Sequence, residues 1–143
     1  PAIRHMVQAG VPVMGHLGLM PQSINKYGTY NVRAKDEAEA QKLIDDALLL
    51  QETGCFAVVL EKIPAALAQK VAEKLEIPVI GIGAGSHVDG QVLVVHDMLG
   101  LTQGFSPRFL RRYLNLSEQI TTAVQQYISD VKNVDFPNEQ EQY

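Results

Sequence analysis

Val79-Ile-Gly-Ile-Gly-Ala-Gly-Ser86 is the stretch on which the fold turns. It is a short apolar run punctuated by glycine, and two others share its form: Val13-Met-Gly-His-Leu-Gly-Leu19 and Val58-Val-Leu-Glu61. Four to six apolar residues with such bounds read as a strand buried on both faces, as in a parallel sheet. In α/β folds the carboxyl ends of those strands are where chemistry is placed. His16, Glu61 and the glycines at 81, 83 and 85 are therefore expected along one rim of one sheet.

Helical segments fill the spaces between these runs. Pro1 to Gly10 reads as the tail of a helix closing on a glycine, as though the chain were entered in its middle. Pro12 to Leu17 is the first strand, and Met20 to Lys35 is a long connection of the kind that covers a substrate or lacks order. A helix is expected from Asp36 to Thr53. Ala40, Leu43, Ile44, Ala47, Leu48 and Leu50 give it an apolar stripe, acidic residues complement its first turn, and Gly54 follows its end. Cys55 to Leu60 is the second strand, and Pro64 opens a helix where no amide donor is needed. Ile77 to Ile82 is the third strand and Val92 to Val95 the fourth. Leu110 to Val131 is helical, broken near Asn115 and restarted at a Ser117 cap, and residues 133–143 are a polar, mobile tail. Alternation of strand and helix implies βαβ units. Four such strands make either a small doubly wound sheet or half of a (βα)8 barrel, a complete barrel needing roughly 250 residues.

Composition narrows the function classes. The chain has 143 residues, 46% hydrophobic and 20% charged, as in an ordinary soluble domain. A net charge of -4 supplies no basic field for nucleic acid, and no apolar stretch approaches a membrane span. One cysteine, Cys55, argues against a disulfide framework and for a reducing compartment, so the cytoplasm is the expected location.

Glu61 stands directly after Phe56 to Leu60, so its carboxylate is expected at the end of a buried strand, where partial desolvation makes it a better proton acceptor. The plainer reading is a rim glutamate paired with Lys62 or capping the next helix. His16 orients or polarises a substrate oxygen on one reading and is a core histidine bonded to a backbone carbonyl on the other. His96 and Asp97, neighbours at the end of the fourth strand, would point to opposite faces and read as structural; His5 and His87 read as surface residues. The alternate glycines leave one strand face bare, suited to close approach of a ligand or to tight packing, but they do not form the G-x-G-x-x-G dinucleotide fingerprint. No Cys/His spacing suits zinc, and Glu61, Asp89 and Asp97 do not converge on a Mg2+ site in sequence. No serine occupies a nucleophile elbow.

Four motifs in register, Gly15-His-Leu-Gly-Leu-Met-Pro-Gln22, Leu60-Glu-Lys-Ile-Pro64, Ile77-Pro-Val-Ile-Gly-Ile-Gly-Ala-Gly85 and Asp89-Gly-Gln-Val-Leu-Val-Val-His-Asp97, closely resemble the C-terminal half of the ketopantoate hydroxymethyltransferase family from about Val11 to Phe136. The resemblance implies a (βα)8 TIM barrel of which residues 1–132 supply strands five to eight. It also implies transfer of a one-carbon unit from 5,10-methylenetetrahydrofolate to 3-methyl-2-oxobutanoate, giving 2-dehydropantoate for pantothenate and coenzyme A synthesis. Glu61 then matches the family's proton acceptor and His16 a histidine lining the substrate pocket, while Lys62 and Met20 stand where members vary and receive no role. Family members use Mg2+ and are typically homodecamers.

The motifs for the metal ligands and for the lysine that holds the ketoacid have no counterpart in this sequence. The resemblance therefore implies an N-terminal half of the same enzyme as partner, Mg2+ ligands within that half, tetrahydrofolate as product, and an inactive isolated chain. A non-catalytic half-barrel acting as an assembly module, and a small doubly wound phosphate-binding domain, are the competing expectations.

Overall fold

The apolar runs form a four-stranded parallel sheet whose spatial order follows the chain, β1 (Met14–Gly18), β2 (Ala57–Glu61), β3 (Val79–Ile82) and β4 (Gly90–Gln91). The computed structural model describes residues 1–104 and 106–143, with Tyr27 by its backbone alone. The described residues fall into two compact units, Pro1–Val92 and Leu93–Tyr143.

In the first unit the elements are α1 (Ala2–Gln8), β1, a single 3-10 turn Pro21–Ser23, α2 (Ile24–Tyr27), α3 (Glu37–Thr53), β2, α4 (Ala65–Ala72), β3 and β4. The long helix α3 starts where expected because Asp36 caps it, its carboxylate accepting the Glu39 amide at 2.9 Å. The Glu39 carboxylate reaches further back and accepts the Ala34 amide at 2.7 Å, a variant of the capping box that fixes the chain entering the helix. At the other end Gly54, at φ 98°, donates to Gln51 and turns the chain into β2.

Val58, Leu60 and Val79 point to one face of the sheet and pack with Leu43 and Ala47 of α3 and Leu67, Ala68 and Val71 of α4. This is the core. Full burial of a side chain such as Leu60 contributes about 1.5–3 kcal/mol. The opposite face carries His16, Val59, Glu61, Ile80 and Ile82, all half-buried, and Met14, which is 45% exposed. Burial of the strands on both faces, expected from their unbroken apolar character, is thus complete on one face only. The two longer helices of this unit pack on the Val58/Leu60 face, leaving the His16/Glu61 face accessible.

The fourth strand lies earlier than the valine run predicts. Gly90 and Gln91 pair with Ile80 and Gly81, and Val92 adds one more bond to the Gly81 carbonyl at 3.0 Å. Beyond that point β3 leaves the ladder at Gly83, φ 62°, so Val92 to Val95 has no partner strand to follow. Strand propensity yields there to the absence of a ladder.

The second unit contains α5 (Val95–Met98) and α6 (Leu116–Lys132). His96 and Asp97 sit in the α5 turn and not at a strand end. Residues 110–115 are not helical, and α6 begins one residue before Ser117. The Leu116 and Ser117 amides donate to the carbonyls of Leu99 and Gly100 at 2.9 and 3.3 Å, so two of the helix's open donors are satisfied without a serine cap. Asn115, at the cap position, instead donates to the Glu118 carboxylate at 2.6 Å.

Candidate active site

In the parallel register His16 lies opposite Val59, and Glu61 is two residues further along β2. Side chains two apart share a strand face, so the imidazole and the carboxylate are diagonal neighbours on the accessible face, Glu61 at the carboxyl end of β2 and His16 in the middle of β1 rather than at the expected strand end. The His16 Nε2–H donates to Glu61 Oε2 at 3.0 Å. Their side chains retain 31% and 16% of their exposure, enough for contact with a bound molecule while water is partly excluded. A carboxylate oxygen accepts, which assigns the proton of this contact to Nε2.

This geometry selects among the readings left open by the sequence. Glu61 is paired neither with Lys62 nor as a helix cap: its partner is His16, and α4 begins at Pro64 without a side-chain cap. His16 is not a buried histidine on a backbone carbonyl. Its ring also faces a cleft of about 1080 Å3 along β1, shared with Met14, Ile3 of α1 and Leu50 of α3.

Close approach of the strand ends depends on Gly18, the register partner of Glu61. Gly18 has φ 92°, and a Cβ there would overlap the Glu61 carbonyl oxygen and press on Ile63. That carbonyl accepts the Leu19 amide at 2.8 Å, while the next amide, of Lys62, donates to the Ile82 carbonyl at 2.8 Å. The peptide bearing the carboxylate is therefore held from both neighbouring strands. Gly81 within β3 and Gly85 after it sit against close neighbours. A Cβ on Gly85 would run into Ala65 at the start of α4, and one on Gly81 would meet Val88 at 3.0 Å.

Other ionisable groups are committed elsewhere. The Asp89 carboxylate accepts the Val79 amide at 2.8 Å and so fixes the start of β3. Asp46 holds the Lys42 ammonium at 2.6 Å on exposed α3; this hydrogen bond and charge raise the lysine above its ordinary value. Burial pushes the Cys55 thiol above its ordinary value of 9.0, as expected for an inert structural cysteine. Among the described residues no three His, Cys, Asp or Glu side chains converge to hold a metal ion. No helix among the described residues is long and apolar enough to cross a membrane.

A parallel βα sheet with a carboxylate–imidazole pair on its open face defines the class: an α/β protein. The sequence carries the assignment further. Residues 1–139 match the family model described as Ketopantoate hydroxymethyltransferase, and the chain belongs to that family. It is 72% identical over 142 residues to the 3-methyl-2-oxobutanoate hydroxymethyltransferase of Phocaeicola vulgatus, 70% identical over 141 residues to that of Bacteroides thetaiotaomicron, and 68% identical over 142 residues to that of Flavobacterium johnsoniae. Each match covers 99% of this chain and 52% of the relative. The chain thus spans about half the length of these curated relatives. The parallel sheet fits the family's barrel, whereas the assignment of its strands as five to eight, in the C-terminal half, is not confirmed by these matches.

Proposed function

We propose that this chain carries the proton-transfer half of a 3-methyl-2-oxobutanoate hydroxymethyltransferase, a cytoplasmic (βα)8-barrel enzyme of pantothenate synthesis. Membership of the family supports the reaction class. The observation that carries the reading is the pairing of His16 with Glu61 at the end of β2, because carbon–carbon bond formation beside a ketone begins with removal of a proton.

In the proposed reaction a Glu61 carboxylate oxygen takes the C3 proton of 3-methyl-2-oxobutanoate. The C–H electrons pass into an enolate, and C3 then bonds to the methylene carbon delivered by 5,10-methylenetetrahydrofolate. Both carbon–nitrogen bonds of that methylene break, water supplies the hydroxyl of 2-dehydropantoate, and the proton taken by Glu61 together with the remaining proton of water ends on the two freed nitrogens of the departing tetrahydrofolate. His16 holds Glu61 in position through a hydrogen bond from Nε2–H, which stabilises the carboxylate. The half-excluded setting of both groups favours the pair acting on bound ketoacid over bulk water.

Mg2+, which acidifies a chelated 2-oxoacid as a Lewis acid, would be held by residues of the other half of the barrel. The ketoacid-holding groups belong with it. Barrel closure over residues 1–132, with 133–143 as a tail, and assembly into a homodecamer complete the proposal.

The test is exchange of the C3 hydrogen of 3-methyl-2-oxobutanoate into D2O, followed by NMR on the native assembly with Mg2+. Exchange that disappears in Glu61→Gln supports the assignment. Undiminished exchange in that variant overturns it.

A further inference from the structure

The long connection after β1 leaves and returns to a single dipeptide. At its start the Leu19 amide donates to the Glu61 carbonyl at 2.8 Å, and at its end the Arg33 amide donates to the Lys62 carbonyl at 3.0 Å. Residues 19–33 thus form a closed loop whose two ends are stapled to the peptide carrying the candidate base. Lys62 makes a third tie, its Nζ donating to the Tyr30 carbonyl within the loop.

Packing holds the ends of this loop, with Leu19 only 2% exposed, and leaves much of its middle open to solvent. At its end Arg33 pairs with the Glu39 carboxylate of α3 and the Ala34 amide donates to it at 2.7 Å, while a cavity of about 380 Å3 lies beside Met20, Lys26 and Leu43. Tyr30 is 62% exposed. An exposed loop middle is positioned by polar contacts: besides the Arg33–Glu39 pair, three hydrogen bonds meet at Glu61 and Lys62. Lys62 itself has φ 51°, a backbone region that a residue with a Cβ enters at a cost. The turn aims its carbonyl at Arg33 while its amide stays on Ile82. Strain of this kind persists only where surrounding contacts over-determine it.

We infer that Lys62 is a positioning residue: its left-handed backbone and its ammonium strap the 19–33 loop to the rim beside Glu61, setting the loop's place over the substrate. The strap is a property of this chain. Its consequence for catalysis rests on the function proposed above.

The experiment is amide hydrogen exchange on the full chain, comparing wild type with Lys62→Met, Lys62→Arg and Lys62→Gly. Lys62→Met keeps the apolar stem and loses the donor. Exchange at Arg33 and in the 20–32 segment is expected to rise on the order of tenfold, the scale of losing a partly exposed charged hydrogen bond, with α3 and β2 unchanged. Lys62→Arg restores protection. Lys62→Gly relieves the backbone cost, so a rise confined to the loop in that variant isolates the side chain. Unchanged exchange in Lys62→Met, or a rise spread evenly over α3 and β2, overturns the strap.

In the native assembly Lys62→Met is expected to raise KM about tenfold while kcat stays within about twofold, because an unstrapped loop must be ordered on binding. A fall in kcat at unchanged KM overturns the positioning role. Loop exchange that responds in an assembly without turnover would sink the functional reading and leave the strap standing.

Discussion

The imidazole of His16 and the carboxylate of Glu61 meet at 3.0 Å across two parallel strands, as diagonal and not direct register partners. The offset places both polar ends on the same face at the same rim. A one-residue slip of β1 against β2 would send one of them into the helix-covered core.

Glu61→Gln keeps the size of the side chain and an oxygen to accept from His16, and removes only basicity. On the proposed mechanism the native assembly should lose on the order of a hundredfold or more in C3 hydrogen exchange, with the fold intact by circular dichroism. A loss below fivefold would assign the proton to another group.

Mutual dependence of the pair can be read from a double-mutant cycle. His16→Ala, Glu61→Ala and the double variant should show a coupling of about 1 kcal/mol in urea unfolding, modest because both groups keep some water. Additive effects would mean that the bond contributes nothing to the folded chain.

Gly18→Ala should be severely destabilising. The added carbon overlaps the Glu61 carbonyl, and φ 92° is unfavourable for any L side chain. A loss of at least about 2 kcal/mol is expected from the two effects together. A denaturation midpoint within error of wild type would show that the strand ends have room to part.

Cys55 yields a pH prediction with a definite sign. Its thiol is raised by burial in the folded chain, so the unfolded chain ionises first as pH increases. This group's contribution is fully present below the ordinary value of 9.0 and is lost as pH rises through the higher folded value. Stability should therefore be insensitive to Cys55 through neutral pH and decline above 9.0, a decline that Cys55→Ala abolishes in pH-resolved unfolding curves. An identical alkaline decline in both proteins would remove Cys55 as its source.

Much of the architecture is legible in the residues because strand, helix and glycine signals coincide. The Asp36 cap, the Gly54 stop and the apolar runs before Glu61 and Gly81 all state locally what the fold then does. The same holds for Glu61, which ends β2 as its apolar run announces, whereas His16 stands in the middle of β1 and not at its end, because the strand runs on through Leu17 and Gly18 to pair with Leu60 and Glu61. What could not be read there depends on distant partners. Val92 to Val95 has the composition of a strand, yet the ladder it needs ends at Gly83. Ser117 resembles a cap, yet carbonyls of Leu99 and Gly100 already satisfy the helix start. Lys62 carries no local signal at all, since its positive φ and its reach to Tyr30 exist only once the loop has returned. The Lys62 pairing suggested for Glu61 fails for the same reason.

Because the strands lie in the sheet in the order in which they are made, each βα unit of Pro1–Val92 finds its neighbour next to itself in the chain. No strand is inserted between two that came before it. A growing polypeptide can add such units one at a time, each laid against the last, so folding need not await the end of synthesis. A barrel with this connectivity also divides between units without pulling a strand from the middle of the sheet, which makes separate expression of its parts, and their recombination in trans, a practical route to studying it.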